Sequence, residues 1–489
     1  MIAILKQIMI YVGRLFCRPA LILWLSMSLL ALLNSQLIAQ PDTLWVRYYD
    51  MHSCYDMKPV SDTSFALGGS TNSLESRGDF HLVVTDTAGR ELWNRVLVDT
   101  GRWNSHVSSI SLSDNGELMY MVGTGRTPSD GSGFIALLSL EGDSLWMLPY
   151  GGLLAYLTTS LPDENDGVYV AGSTNDYNEY GSRDGYLLNV DEEGEELWYQ
   201  VYGGEGTDTF SDMVHTQDGG FALVGRTSSF GGGGQFYLVK TDSRGEEQWS
   251  GAYGDSVNSD IAVTIGEMPD GGFVMAGWTA QGIHTDMLVI RVNEEGEEVW
   301  QRCIEDREKF RDLVVLPNGD FVLAGDGPGT PHDLILIRMN EDGEIIWEAT
   351  WDMPGRSQCY SVVMLQDGGY ALAGHLTGSP VFLARTEPDP VNAIWEVDPS
   401  FPSLFTLHLP YPNPFNSMTS FKFSLPQESQ VEIKAYDLSG RYVDTVVNIV
   451  HAAGVHQLNW TADDLPSGMY LIRFEASEFK TTQKVTLIR

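Results

Sequence analysis

The sequence predicts an all-β protein: a seven-bladed β-propeller followed by a small Ig-like β-sandwich. Three observations carry this prediction. Tryptophans recur at nearly constant spacing, short apolar runs alternate with Gly-containing turns, and the composition changes sharply near residue 400. The chain has 489 residues with 51 glycines, and 11% of its residues are aromatic, which is typical of turn-rich β proteins.

The tryptophan register defines the repeat. Intervals of 47 to 53 residues separate eight tryptophans, which therefore enclose seven units. An internal repeat of this length indicates a propeller or a solenoid. The eight are Trp45, Trp93, Trp146, Trp198, Trp249, Trp300, Trp347 and Trp395.

Each unit contains four apolar runs that predict four strands. In the fourth unit we expect strands at 212–216, 221–225, 235–241 and 246–253. Tight turns at Asp218-Gly219-Gly220 and 242–245 pair the first strand with the second and the third with the fourth. The second strand, FALVG here, is apolar throughout, so both of its faces are covered. Four-stranded sheets stacked around a ring provide that cover. A β-solenoid usually has shorter repeats, and tandem sandwiches do not require this one.

Seven units but eight tryptophan strands leave two ways to complete the last blade. Either the strand at Trp45 or the strand at Trp395 supplies its fourth strand. We expect the N-terminal strand to do so, because pairing the two ends of the chain holds the ring closed.

The first 39 residues predict a cleaved signal peptide. Lys6, Arg14 and Arg18 precede the apolar run 20–33, and Leu37-Ile38-Ala39 is a plausible cleavage site. The apolar run is short for a membrane span, so we expect no stable transmembrane span after processing.

The net charge and the cysteine pattern exclude several classes of partner and binding site. The formal net charge of −37 disfavours binding to phosphate backbones, so no nucleic acid partner is expected. The mature chain keeps Cys54, Cys303 and Cys359, which form neither a disulfide framework nor a zinc motif. No catalytic or phosphate-binding motif is present, and we therefore predict no cofactor, no metal and no catalytic residues.

Residues 40–398 thus form the predicted propeller, 399–409 a linker, and 410–489 a separate domain. Five segments characterise the last part: YPNPFN (411–416), VEIKAYDLSGRYV (431–443), AAGVHQLNW (452–460), LPSGMYLIRF (465–474) and KVTLIR (484–489). In order and spacing they resemble the type A C-terminal sorting domain of the type IX secretion system. That resemblance implies a partner, the type IX machinery. It also implies export through the periplasm to the outer-membrane surface or the medium of a Bacteroidetes-type bacterium.

The candidate binding residues come from the exceptions to the repeat. Every second strand ends in Gly, and the next residue varies, which is where function is expected on a fixed scaffold. Four consecutive units place bulky or charged side chains there, and we expect them to line one side of a central depression: Arg226, Trp278, Asp326 and His375.

Two classes of function follow from these residues. A non-catalytic module that binds a glycan or a protein ligand is favoured. A propeller enzyme, such as a glycan lyase or hydrolase, would require Asp326 and His375 to act together. The ring could also serve as a structural spacer on the cell surface.

Overall fold

The computed structural model describes residues 41–389, 406–407, 410 and 413–488, with short internal gaps. The gaps are 72–78, 98–102, 127–130, 151–154, 176–182, 231–232, 256–257, 282–283, 305–308, 328–332, 378–379, 426–428, 438, 452–453, 463–464 and 477–478. The predicted signal peptide, the Trp395 strand and most of the predicted linker lie outside the described residues. The chain divides into two compact units, one ending at Pro390 and one beginning at Val391.

The first unit consists of seven four-stranded antiparallel sheets, as predicted. Blade 1 contains β2 to β5 (Ser53–Ser61, Ser64–Ser70, Phe80–Asp86, Glu91–Leu97). Blade 2 contains β6 to β9 (Trp103–Leu112, Leu118–Arg126, Gly131–Ser139, Ser144–Tyr150). Blade 3 contains β10 to β13 (Tyr156–Pro162, Val168–Thr174, Asp184–Val190, Glu196–Tyr202). Blade 4 contains β14 to β17 (Asp208–His215, Phe221–Thr227, Gln235–Thr241, Glu247–Tyr253).

Blade 5 contains β18 to β21 (Ser259–Glu267, Phe273–Gln281, His284–Val292, Glu298–Ile304). Blade 6 contains β22 to β25 (Lys309–Val315, Phe321–Asp326, Leu334–Met339, Ile345–Trp351). Blade 7 contains β26 to β28 (Ser357–Met364, Tyr370–Leu376, Val381–Thr386), and its fourth strand is β1 (Thr43–Tyr49). The N-terminal strand therefore closes the ring, as expected, with Trp45 opposite Arg385.

Outer-strand tryptophans join each blade to the next. The ring of Trp45 lies against Gly89, in the hairpin between the third and fourth strands of blade 1. Gly89 has a φ of +74°, and a Cβ there would stand 2.8 Å from the Trp45 ring. The contact thus requires glycine twice, for its backbone and for its lack of a side chain. The same contact recurs for Trp93–Gly142, Trp146–Gly194, Trp198–Gly245, Trp249–Gly296 and Trp300–Gly343.

Blade 7 has no such hairpin, because its third and fourth strands come from opposite ends of the chain. Asp389 fills the gap. It is fully buried, and its Oδ2 accepts hydrogen bonds from Trp347 Nε1 at 3.2 Å, Arg338 Nη1 at 2.7 Å and Tyr370 OH at 2.9 Å. A charged cluster therefore replaces the glycine contact at the point of closure.

A β-bulge lies in the innermost strand of every blade, opposite the constant glycine of the second strand. In blade 4 the bulged residue is Ser211, between Phe210 and Asp212. A Cβ at Gly225 would stand 1.9 Å from the carbonyl oxygen of Thr209. The glycine is therefore constant because the bulge brings two backbones too close for any side chain.

The residue after each bulge joins its blade to a neighbour at the centre of the ring. All seven are Asp, Ser or Thr, and together they form hydrogen bonds of 2.8–3.4 Å across all seven blade junctions. For example, Ile110 N donates to Asp56 Oδ2, and Val362 N donates to Asp312 Oδ2. The residues are Asp56, Ser109, Thr159, Asp212, Thr264, Asp312 and Ser361.

The second unit contains two sheets that enclose one apolar core. The strands are β29 to β35 (Thr406–Leu407, Met418–Leu425, Ser429–Asp437, Tyr442–His451, Gly454–Thr461, Gly468–Ala476, Phe479–Leu487). One sheet has the order β29-β30-β33 and the other β32-β31-β34-β35. Trp460 and Tyr470 lie in the core.

The central hydrogen-bond ring should respond to pH through Asp312. Burial raises the pKa of Asp312 to about 7, although Lys58 and the Val362 N–H oppose the shift. An acid whose folded pKa exceeds its unfolded value favours the fold at low pH. This contribution is lost as pH rises through the folded pKa. Relative to Asp312→Asn, the wild type should therefore lose unfolding free energy as the pH rises from about 4 to about 7. Urea unfolding across this range measures it, and a difference independent of pH would contradict the assignment.

Candidate functional site

The bulged residues face a central channel that is open to solvent and has a cavity volume of about 100 Å³. Their sizes differ strongly around the ring. Blades 6, 7 and 1 contribute Arg311, Tyr360 and Tyr55, whereas blades 2 to 5 contribute only small or medium side chains. Those smaller residues are Ser108, Thr158, Ser211 and Val263. The channel therefore has one bulky wall and free space in front of it.

Aromatic rings build this wall. The rings of Tyr55 and Tyr360 meet edge to face with centroids 5.1 Å apart. His375 stacks on Tyr360 at 5.1 Å and an interplanar angle of 16°. His106 of blade 2 contacts the other side of the group, 5.1 Å from Tyr55. We call Tyr55, Tyr360, His375 and Arg311 the aromatic wall.

Arg311 fixes the wall electrostatically. Its guanidinium lies 4.4 Å from the centre of the Tyr360 ring, and its Nη2 bonds Asp326 Oδ2 at 2.9 Å. Asp326 is 2% exposed, so the pair is almost sheltered from solvent. Arginine suits this position because it stacks on an aromatic ring and binds a carboxylate simultaneously.

Two titratable groups of the wall, Tyr360 and His375, are held in their neutral forms. Burial raises the pKa of Tyr360, although the Arg311 charge opposes it. Burial lowers the pKa of His375, and the Arg311 charge acts in the same direction. The wall thus presents a phenol and a neutral imidazole at pH 7.

Carboxylates line the next level of the channel. Asp56, Asp212 and Asp312 belong to the central hydrogen-bond ring, and Lys58 Nζ lies 3.5 Å from Asp56 Oδ1. The attraction of Asp56 raises the pKa of Lys58, although desolvation opposes the shift. Lys58 and Asp56 are therefore held together as an ion pair at this level of the channel.

Two of the four residues predicted from the sequence belong to this cluster. Asp326 bonds Arg311, and His375 stacks on Tyr360. They do not form the acid–base pair that the enzyme hypothesis requires. Instead, Asp326 is bonded to the guanidinium, and His375 Nδ1 lies 3.3 Å from the Cys54 carbonyl oxygen.

The other two lie apart from the wall. Trp278 packs toward blade 6, where Lys309 Nζ stands 4.7 Å from its ring. Arg226 Nη2 donates to the carbonyl of Gly233 within its own blade at 3.3 Å. Both are half-buried and have no contact with the aromatic wall among those the structure describes.

The sequence reasoning missed the bulged positions, although a signal for them was present. In every repeat the residue after the bulge is Asp, Ser or Thr, and the bulged residue itself varies from Ser to Tyr and Arg. A variable residue beside a constant polar one marks an innermost strand as clearly as the second-strand glycine does. Alignment of the first strands would have revealed it.

The part of the chain that the structure describes contains no helix long and apolar enough to cross a membrane. In the same part, no group of three or more His, Cys, Asp or Glu side chains is arranged to hold a metal ion.

Comparisons with known proteins identify the second unit. Residues 410–488 match the family described as a secretion system C-terminal sorting domain. No curated protein sequence matches the chain.

Solved structures similar to the chain share little sequence with it. Polysaccharide lyase Uly1 is 8% identical, with 71% of this chain and 100% of that chain covered and a TM-score of 0.49. A protein of unknown function from Dyadobacter fermentans is 12% identical, with 72% and 98% covered and a TM-score of 0.44. PorZ is a surface component of the type-IX secretion system of Porphyromonas gingivalis. It is 10% identical, with 89% and 93% covered and a TM-score of 0.24.

None of these TM-scores reaches 0.5, so the similarities say nothing about activity. The fold rests on the sheet topology instead: seven blades closed by the N-terminal strand. The chain is therefore an exported bacterial β-propeller that carries, at residues 410–488, a sorting domain for type IX secretion to the cell surface or beyond.

Proposed function

We propose that the exported propeller is a non-catalytic module that binds a glycan in its central channel. The uneven distribution of side chains around the channel mouth carries this proposal. Tyr55, Tyr360 and Arg311 stand on one side, and small hydroxyl residues on the other leave room for a polar ring. Binding sites typically combine aromatic surface with a few placed polar groups.

The polar groups available suit a ligand rich in hydroxyls. Each phenol oxygen of Tyr55 and Tyr360 can donate one hydrogen bond and accept others, as can the hydroxyl of Ser108. A peptide would usually add to an exposed strand edge. The innermost strands are the edge strands of their sheets, and they present side-chain hydroxyls to the channel as well, so the array experiment below distinguishes a glycan from a peptide.

The geometry favours binding over catalysis. A general base or acid works best with a pKa near the operating pH, whereas burial raises the pKa of Tyr360. The Asp326 carboxylate that could have oriented His375 is bonded to Arg311. The groups that could move protons are thus engaged in holding the wall together. A lyase or hydrolase remains the alternative, and a structural spacer is the third.

Loss of the two phenol hydroxyls should weaken glycan binding while the wall stays packed. We expect Tyr55→Phe and Tyr360→Phe each to lower affinity by about fivefold, since a neutral hydrogen bond contributes about 1 kcal/mol. The measurement is binding to a glycan array, then titration with the best glycan. Tyr48→Phe is the control, because Tyr48 is 45% exposed on an outermost strand.

The same samples separate the alternatives. Binding confined to a peptide array would replace the glycan with a protein ligand. Shortened or unsaturated products after incubation with the glycan would establish the enzyme. No binding on either array would contradict a binding function and leave the spacer.

We also propose that residues 1–39 direct the chain to the periplasm and are removed there, and that residues 410–489 are then needed to leave it. Deletion of 410–489 should trap a folded propeller in the periplasm, since the sorting domain carries the export signal. Cell fractionation with limited proteolysis measures both location and folding. Surface delivery of the truncated chain would refute the role of the C-terminal domain. N-terminal sequencing of the trapped protein should begin at Gln40.

A further inference from the structure

Two acidic residues meet at the junction between blades 3 and 4, away from the aromatic wall. Asp184 is the first residue of β12 and Asp208 the first residue of β14. The backbone holds them together, because Asp208 N donates to the carbonyl of Arg183 at 2.7 Å. The starts of the two strands are therefore joined by a backbone hydrogen bond that does not involve the two side chains.

Each of these buried carboxylates has an oxygen without a partner. Asp208 is fully buried, and its Oδ2 accepts from Gly204 N at 2.9 Å and from Ser229 Oγ at 2.5 Å. Its Oδ1 has no hydrogen-bond partner, and neither has Oδ1 of Asp184, which is only 7% exposed. Buried polar atoms are almost always bonded, so two orphaned oxygens at one place need an explanation.

Gly203 shows that the carboxylates converge. A Cβ on this residue would stand 2.4 Å from Asp208 Oδ2 and 3.0 Å from Asp184 Oδ1. Gly203 also has a φ of +145°, which side-chain-bearing residues rarely adopt. The absence of a side chain at Gly203 leaves a small space that both carboxylates border.

No described side chain supplies a counter-charge. Arg183 precedes Asp184 but turns away, with its guanidinium 4.3 Å from the Tyr156 ring and its Nε bonded to Asn175 at 3.4 Å. Burial, followed by the charge of Asp208, raises the pKa of Asp184 to about 6. Two adjacent buried carboxylates without a cation are electrostatically costly.

The fold itself does not require this pair. At the next junction Gln235 takes the place of Asp184, and Asp260 takes the place of Asp208. The backbone contact is kept there, with Asp260 N donating to the Gly234 carbonyl at 3.0 Å. The backbone contact at this kind of junction therefore forms without a carboxylate at the position of Asp184.

We propose that Asp184 and Asp208 bind a divalent cation, Ca²⁺ by preference, through the unpartnered Oδ1 of Asp184 and the carboxylate of Asp208. Hard oxygen ligands suit Ca²⁺, whose coordination shell is flexible and accepts water at the remaining positions. Bound there, the cation would neutralise the pair and tie the start of β12 to the start of β14.

Calcium titration of the secreted chain tests this proposal. After treatment with EDTA, isothermal titration should show one saturable Ca²⁺ site, and Tm should rise with Ca²⁺ concentration because the ion binds the folded state. Both effects should be lost in Asp184→Asn and in Asp208→Asn. Asp260→Asn is the matched control, and it should keep both, since it changes the same position one blade further on.

Other outcomes overturn the proposal. No saturable Ca²⁺ binding by the wild type would show that the pair holds a proton instead. Ca²⁺ binding with unchanged affinity in Asp184→Asn would place the ion elsewhere on this acidic surface. The wild-type titration and Asp184→Asn decide the question even if Asp208→Asn fails to fold.

Discussion

The collision that a side chain would cause at the constant glycine shapes this propeller. In each blade the innermost strand bulges toward the second strand. A Cβ on the constant glycine of the second strand would come within 1.8–2.2 Å of a backbone carbonyl oxygen of the innermost strand. Because only glycine fits, the bulge is fixed at the same level in all seven blades. The bulged residue then faces the channel, and the residue after it reaches the next blade.

Structure and specificity separate at this bulge. The residue after it must reach a backbone or side-chain group of the adjacent blade, which restricts it to Asp, Ser or Thr. The bulged residue is less restricted. Thr158 Oγ1 still donates to the Phe210 carbonyl of the next blade, but Tyr55, Arg311 and Tyr360 occupy a position that holds only small side chains in blades 2 to 4. The same bulge therefore links neighbouring blades and leaves variable positions for recognition. Where the ring closes, Asp389 accepts hydrogen bonds from the neighbouring blade and takes the place of the hairpin that blade 7 lacks.

The sequence predicted the architecture well because the same pattern of strands and turns recurs in all seven units. Blade number, strand pairing through the tight turns, closure by the Trp45 strand and the C-terminal sorting domain were confirmed. The site was harder to predict. Reading along the second strand identified Asp326 and His375, but whether they pair depends on Arg311 and Tyr360 from other strands. The first strand of the fourth blade also begins at Asp208, four residues earlier than expected, because its polar start carries no apolar signal.

The unfolding free energy of Gly225→Ala tests the central role of the bulge most directly. At an ordinary position, replacing Gly by Ala stabilises a protein by about 0.4–1 kcal/mol, since the unfolded chain loses freedom. Here the added Cβ would lie 1.9 Å from the Thr209 carbonyl oxygen. We therefore predict a loss of about 2–3 kcal/mol in denaturant unfolding. Stability equal to or greater than that of the wild type would contradict the account.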